Sequence, residues 1–221
     1  MKTLMTLGCS LSDIKRNWGV RLAELFPYNN HVHYAFAGGG NQQLLDCISD
    51  YTLQNNLDDL TLVYQITGMD RKGGLWPEEY IKPHVLDPET EHSIDQGGSW
   101  QRFNSFFGEQ IFLWAKNADV LEKDITKHNK LVMVSRTIST LCTLAKAGVD
   151  VTVFRGWAGC IQAEHWEKVS PVLERYNVNV IQDCYVEWCM NTNQRFVDEF
   201  HPGSEGAYAF AERIIYPTLF T

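Results

Sequence analysis

Apolar and polar positions change period repeatedly along the chain, and the changes divide it into short and long segments that alternate. Five short runs rich in apolar and β-branched residues read as strands: Lys2–Leu7, His31–Phe36, Leu60–Thr67, Val149–Phe154 and Val178–Ile181. Between them lie segments of helical period at Ser12–Leu25, Asn41–Gln54 and Ala163–Tyr176, and Ser204–Tyr216 closes the chain. Ser12 and Asp13 offer cap chemistry for the first of these helices. Phe106–Ala147 also carries helical periodicity, as one long or two broken helices that stop at Gly148. Arg71–Ser105 fits neither period and concentrates Gly, Pro, Trp and His, which predicts an irregular insertion of the kind that forms a lid or a loop over a site. Strands alternating with helices predict βαβ units. The expected fold is therefore a three-layer α/β/α sandwich with a five-stranded parallel sheet, flavodoxin-like in strand order, in a single domain over residues 1–221.

Composition narrows the function classes. With 221 residues, 44% hydrophobic and 21% charged, the chain can bury a sizeable core. The N-terminal MKTLMTLGCS ends its apolar run at Gly8, without the long apolar stretch and small-residue cleavage site of a signal peptide, and reads as a first strand. No stretch approaches the ~18 apolar residues of a membrane span. A soluble, cytoplasmic chain is expected, with no membrane partner. The net charge of -8 and the lack of a basic run disfavour nucleic acid. Six cysteines (Cys9, Cys47, Cys142, Cys160, Cys184, Cys189) show no metal-ligand spacing and no disulfide-scaffold density, so reduced thiols are expected.

Three loops fall at the carboxyl ends of predicted strands, where parallel α/β sheets bind ligands. The first, Gly8-Cys9-Ser10-Leu11-Ser12-Asp13, is a tight strand-to-helix turn that sets Ser10 at a helix N-terminus, placed to attack and to donate its N–H. Taken alone, such a turn also serves simply as a helix cap. In the second, Ala37-Gly38-Gly39-Gly40-Asn41-Gln42, successive glycines let backbone N–H groups approach a ligand, which suits an oxyanion hole or close helix packing. The third, Asp198-Glu199-Phe200-His201-Pro202, has the spacing that lets a carboxylate hold one imidazole nitrogen while the other faces a nucleophile.

Together these blocks resemble the SGNH hydrolase superfamily, the GDSL-type esterases and lipases. The family's GDSxS block is matched by Gly8-Cys9-Ser10-Leu11-Ser12 except at Cys9, and its DxxHP block is matched in full by Asp198, His201 and Pro202. The resemblance implies Ser10 as nucleophile and Asp198 and His201 as its activating pair. It further implies a glycine N–H for the oxyanion hole, assigned to Gly38, with Gly39 and Gly40 as neighbouring registers. The family's third block reads GxN, where the Asn donates to the oxyanion; here the sequence is Gly68-Met69-Asp70-Arg71. An ionised Asp70 cannot donate, and one lost donor typically costs ~10²–10³ in rate. Protonation of Asp70, its pairing with Arg71, or a donor from Asn41 or Thr67 would each relieve this. Gln65 to Arg71 is also similar to a variant block, QxTxxxR, of divergent members including some from bacteriophages.

Other candidates carry less. Cys9 is a stronger intrinsic nucleophile than serine, but adjacent strand-end residues point apart, and Cys9 is expected in the core. His31 and His33 share one side of a strand, a spacing open to metal binding or to half burial. His84 and His92 lie among acidic residues of the insertion, and Trp76, Trp100, Phe103, Phe106 and Phe107 offer either an apolar or sugar-binding face or a local mini-core. The sequence thus predicts an ester hydrolase, an esterase or carbohydrate O-deacetylase, acting through an acyl-enzyme, with neither cofactor nor metal. Ser10, Gly38 and Asn41 would form the oxyanion hole, and Thr67, Arg71 and Trp76 would contact a small-molecule or carbohydrate ester. A binding module that keeps the fold, with its hole spoiled by Asp70, and an acyltransferase on the same triad are the alternatives. The acyl group, the alcohol and the oligomeric state stay open.

Overall fold

The computed structural model describes residues 2–9, 11, 17–26, 30–36, 39–69, 73–76, 92–93, 98–105, 108–114 and 127–220, the strands between 73 and 114 and residues 127–130 through their backbone alone. Its centre is a five-stranded sheet of β1 (Thr3–Cys9), β2 (Asn30–Phe36), β3 (Leu60–Ile66), β8 (Asp150–Arg155) and β9 (Asn179–Cys184), in the order β2-β1-β3-β8-β9. Every pairing in this sheet is parallel. The predicted α/β class, strand set and strand order are all observed.

Burial explains why these segments became strands. Six of the seven β1 residues and all of β3 are buried, as a central parallel strand covered on both faces requires. One apolar cluster joins Met5, Leu7, Leu62 and Tyr64 to α2 (Asn41–Gln54), α3 (Lys127–Lys146) and α4 (Ala163–Arg175). The other joins Leu4, Val63 and Phe154 to α1 (Trp18–Leu25), α5 (Tyr185–Asn191) and α6 (Ser204–Phe210). Helices thus lie on both faces, as the three-layer expectation requires. The chain continues from α6 through a π-helical segment, Ala211–Ile215, into α7 (Tyr216–Thr218). No helix among the described residues is long and apolar enough to cross a membrane.

The structure departs from the sequence reading in three places. The Arg71–Ser105 region and the start of the Phe106–Ala147 segment hold a second sheet of four antiparallel strands. These are β4 (Gly73–Trp76), β5 (His92–Ser93), β6 (Gly98–Ser105) and β7 (Gly108–Trp114), in the order β4-β7-β6-β5. The run Gln110-Ile111-Phe112-Leu113-Trp114 is β-branched and aromatic, and pairing with β6 overrides its apparent helical period. The helix of that segment is confined to α3. Gly148 stops it as predicted, at φ 94°, with Gly148 N–H donating to Ala145 O and Val149 N–H to Leu144 O, a Schellman closure. Second, α1 as described begins at Trp18 and is capped by Asn17, not by Ser12 or Asp13: Asn17 accepts from the N–H groups of Gly19 and Val20. Third, α5 has no counterpart in the sequence reading.

The carboxyl ends of the strands are packed tightly where β3 and β8 meet. Gly156 N–H donates to Ile66 O, and a Cβ at Gly156 would lie 2.8 Å from Gln65 Nε2, 3.1 Å from Ile66 O and 3.3 Å from Leu11 Cδ1. Gly156→Ala should therefore lower the free energy of urea unfolding by about 1–3 kcal/mol through overpacking. An unchanged midpoint and slope would contradict this packing.

Candidate active site

Strand order fixes where a site can form. The chain leaves β1 to one face of the sheet and β2 to the other, so the crevice between the carboxyl ends of β1 and β3 is the topological switch point. The β1–β3 ladder ends at Leu7 and Tyr64, while β1 stays paired to β2 as far as Cys9 and Phe36. Beyond Leu7 the Gln65 side chain takes over, its Oε1 accepting from Cys9 N–H at 3.4 Å. Ser10, the next residue, lies outside the described residues, as do Gly38, Asp70 and Arg71. Trp76 falls in β4, where only the backbone is described.

The second loop is described from Gly39 onward, and its donors are largely committed. Gly39 N–H donates to Phe36 O at 2.8 Å, and Gly40 N–H donates to Gln43 Oε1 at 3.0 Å. Of the three glycine registers read from the sequence, the two described ones thus spend their N–H groups inside the loop. Asn41, the first residue of α2, is fully buried. Its amide donates to Thr67 O at 2.7 Å and to Met69 Sδ at 3.3 Å, and its Oδ1 accepts from Tyr64 Oη at 3.1 Å and from Thr67 N–H at 3.2 Å. Asn41 and the Thr67 backbone therefore exchange two hydrogen bonds like a rung of sheet. The amide expected to donate to an oxyanion instead braces the exit of β3 at Thr67, three residues before Asp70 in the sequence. Thr67, expected to meet substrate, is likewise fully buried, hydroxyl included.

The third loop is described in full and is rigidly built. A bridge between Phe196 and Pro202, with Val197 N–H donating to His201 O and Gly203 N–H to Arg195 O, closes the turn that carries the pair. Asp198 Oδ1 accepts from the N–H groups of Phe200 and His201, both at 2.8 Å. His201 Nδ1 lies 2.9 Å from Oδ1 and 2.8 Å from Oδ2. The Phe200 and His201 N–H groups, followed by the imidazole, hold the Asp198 carboxyl below its ordinary value of 3.8. A carboxylate only accepts, so Nδ1 carries the proton and neutral His201 presents Nε2 as its basic nitrogen.

The helices before and after this turn share a core with the residues on either side of Ser10 in the sequence. Cys9 and Leu11, its two neighbours in sequence, share one apolar cluster with Tyr185, Val186 and Cys189 of α5 and with Ala207 and Phe210 of α6. These two helices flank the Asp198–His201 turn in the chain.

The remaining candidates are elsewhere. Cys9 is fully buried, as expected of a core residue, and all six cysteines are buried and outside any disulfide. Burial pushes the Cys160, Cys184 and Cys189 thiols up to about 12, which leaves them inert as nucleophiles. His31 and His33 meet at Thr6, and among the described residues no group of three or more His, Cys, Asp or Glu side chains could hold a metal ion. His84 lies outside the described residues, and His92 is described through its backbone alone. Gln43 and Gly156 were not singled out from the sequence, and Gln65 entered only as the first residue of the QxTxxxR block, without its hydrogen bond to Cys9.

The Asp198 geometry makes a direct prediction about pH. A depressed carboxyl lends the turn stability that is complete above the ordinary carboxyl range and is lost as pH falls through the lower folded value. A chemical-shift titration should place the Asp198 midpoint below 3.8. A midpoint at or above that value would contradict the three N–H contacts.

No protein-family model and no curated protein matches the chain. The fold is shared with a solved structure described as a member of the lipolytic protein G-D-S-L family from Veillonella parvula DSM 2008. That likeness has a TM-score of 0.53 at 12% identity and covers 96% of this chain and 95% of the other. At that identity the likeness shows a shared fold.

Proposed function

We propose that the chain is a serine-dependent ester hydrolase with Ser10 as nucleophile, His201 as general base and Asp198 as the group that orients it. The observation that carries this reading is the Asp198–His201 pair, whose carboxylate fixes the imidazole through Nδ1 and leaves Nε2 as the base. The shared packing of Cys9 and Leu11 with α5 and α6 supports placing Ser10 beside it. The fold likeness to a lipolytic G-D-S-L protein agrees with the same reading.

In the proposed reaction His201 Nε2 takes the Ser10 hydroxyl proton as Oγ attacks the ester carbonyl. The resulting oxyanion accepts from the N–H groups of Ser10 and Gly38. Collapse breaks the bond to the alcohol oxygen, which leaves with the proton held by His201. Water, deprotonated by the same nitrogen, then attacks the acyl-enzyme and releases the acid while Oγ regains its proton. Asn41 supports the hole at one remove, as a buried brace on the Thr67 backbone and the Met69 sulfur at the exit of β3.

The preferred substrates are short acyl esters, with an O-acetyl group on a carbohydrate first among them. The Asp198–His201 turn also presents Val197 and Phe200 to solvent, 65% and 69% exposed, as apolar contact surface next to the base. Turnover of a short p-nitrophenyl ester should fall by ~10⁴-fold or more in either Ser10→Ala or His201→Ala, with the double variant no slower than the worse single one. Unchanged turnover in Ser10→Ala would refute the assignment. Accumulation of acylated sugar in place of free acid would make the chain an acyltransferase on the same triad.

A further inference from the structure

Away from the proposed triad, one chain of hydrogen bonds has a direction that the chemistry of its members fixes. Asn17 Oδ1 accepts from Gly19 N–H at 2.8 Å and Val20 N–H at 3.0 Å, so its amide nitrogen is the end that faces His33 Nε2 at 3.2 Å. An amide nitrogen only donates, and His33 Nε2 must therefore offer its lone pair. The His33 proton then sits on Nδ1, 2.7 Å from Thr6 Oγ1. The Thr6 hydroxyl, having accepted there, turns its own proton to His31 Nε2 at 2.9 Å. The relay thus runs from Asn17 through His33 and Thr6 to His31, with both imidazoles neutral.

We propose that His33 is a positioning residue: as its neutral Nδ1–H tautomer it orients the Asn17 amide, sets the N-cap of α1 and thereby holds the chain that leads from Ser10 into the helix. The proposal rests on the reading of Ser10 as nucleophile. Residues 10–16 join Cys9 at the end of β1 to Asn17, so both ends of the segment that contains Ser10 are tied to β1, one directly and one through this relay.

Gly19 provides independent support. A Cβ there would lie 2.8 Å from Thr6 Oγ1 and 3.0 Å from His33 Nδ1, so the first turn of α1 rests directly on the Thr6–His33 bond. Asn17 and Thr6 are buried, at 2% and 0% exposure, which makes an unmatched donor pair at this point costly. The two rings face each other with centroids 5.8 Å apart, and Thr6 on β1, the cap residue Asn17 and Gly19 on α1, none of these three ionisable, lie against them. The charged side chains Arg21 and Glu24 of α1 pair with each other, and Arg21 also with Glu212. Burial, and next the nearby His33, lowers His31 to about 4, consistent with a neutral ring at the end of the relay.

Two measurements on the full chain test this. Long-range ¹H–¹⁵N spectra at neutral pH should show His33 protonated on Nδ1 and not on Nε2, and the opposite tautomer would overturn the relay. In Asn17→Asp the carboxylate keeps the cap but can only accept, so His33 should acquire a proton on Nε2; an unchanged tautomer would overturn the coupling between cap and ring. Labelling of Ser10 by a fluorophosphonate at one fixed alkaline pH reads the effect on the nucleophile. Asn17→Ala should react ~10- to 100-fold more slowly than the wild type, and Asn17→Asp should recover most of that loss. Equal rates for wild type and Asn17→Ala would overturn the positioning role and leave the esterase reading standing. A wild-type chain that takes no label at all would overturn both.

Discussion

The inner strand β1 is held on both sides only as far as Leu7, and most of the proposed chemistry depends on that limit. Up to Leu7 its neighbours β2 and β3 fix it by register; past Leu7 it keeps β2 and loses the β3 ladder. A strand released on one side at its carboxyl end opens a crevice that helices from the two faces border, and only there can a side chain leave the core without breaking a ladder. The polar groups exposed by the separation are not left bare. Gln65 takes the Cys9 N–H, and Asn41 takes both the N–H and the carbonyl of Thr67. The crevice is thus lined by backbone whose geometry is set from within the core.

The same economy appears on the other side of the proposed site. The Asp198 carboxylate serves the turn and the imidazole at once, accepting two backbone N–H groups and His201 Nδ1. Orientation of the base is consequently built into the backbone conformation and needs no bound substrate. Cys9 and Leu11, at the start of the first loop, share one buried apolar cluster with α5 and α6, the helices on either side of this turn in the chain. Preorganisation of this kind makes a hydrogen-bonded pair useful to catalysis, because little reorganisation remains when charge develops.

Much of this was legible in the sequence, for reasons that differ between regions. The parallel strands show as compact apolar runs because burial on both faces removes alternation, and α2 was read to its observed limits, Asn41–Gln54. The pairing of Asp198 with His201 is local, three residues apart, and short-range spacing survives in a sequence. The four-stranded second sheet was missed because antiparallel pairing of β6 with β7 depends on partners, and the run Ile111-Phe112-Leu113-Trp114 is compatible with helix or strand by itself. The roles of Asn41, Gln65 and His33 were hidden for the same reason. Each is defined by a partner far off in the chain, Thr67 on the next strand's exit, Cys9 across the sheet, and Thr6 on the neighbouring strand.

The central claim is that an acyl group passes through Ser10 under the control of His201. Rapid quenching of the protein with an aryl acetate, followed by peptide mass spectrometry, tests it directly. The account predicts one acetyl group on the peptide that contains Ser10, located on Ser10 itself, formed by the wild type and absent from His201→Ala. Acetylation confined to Cys9 or to lysines, or the same Ser10 adduct at the same rate without His201, would contradict it.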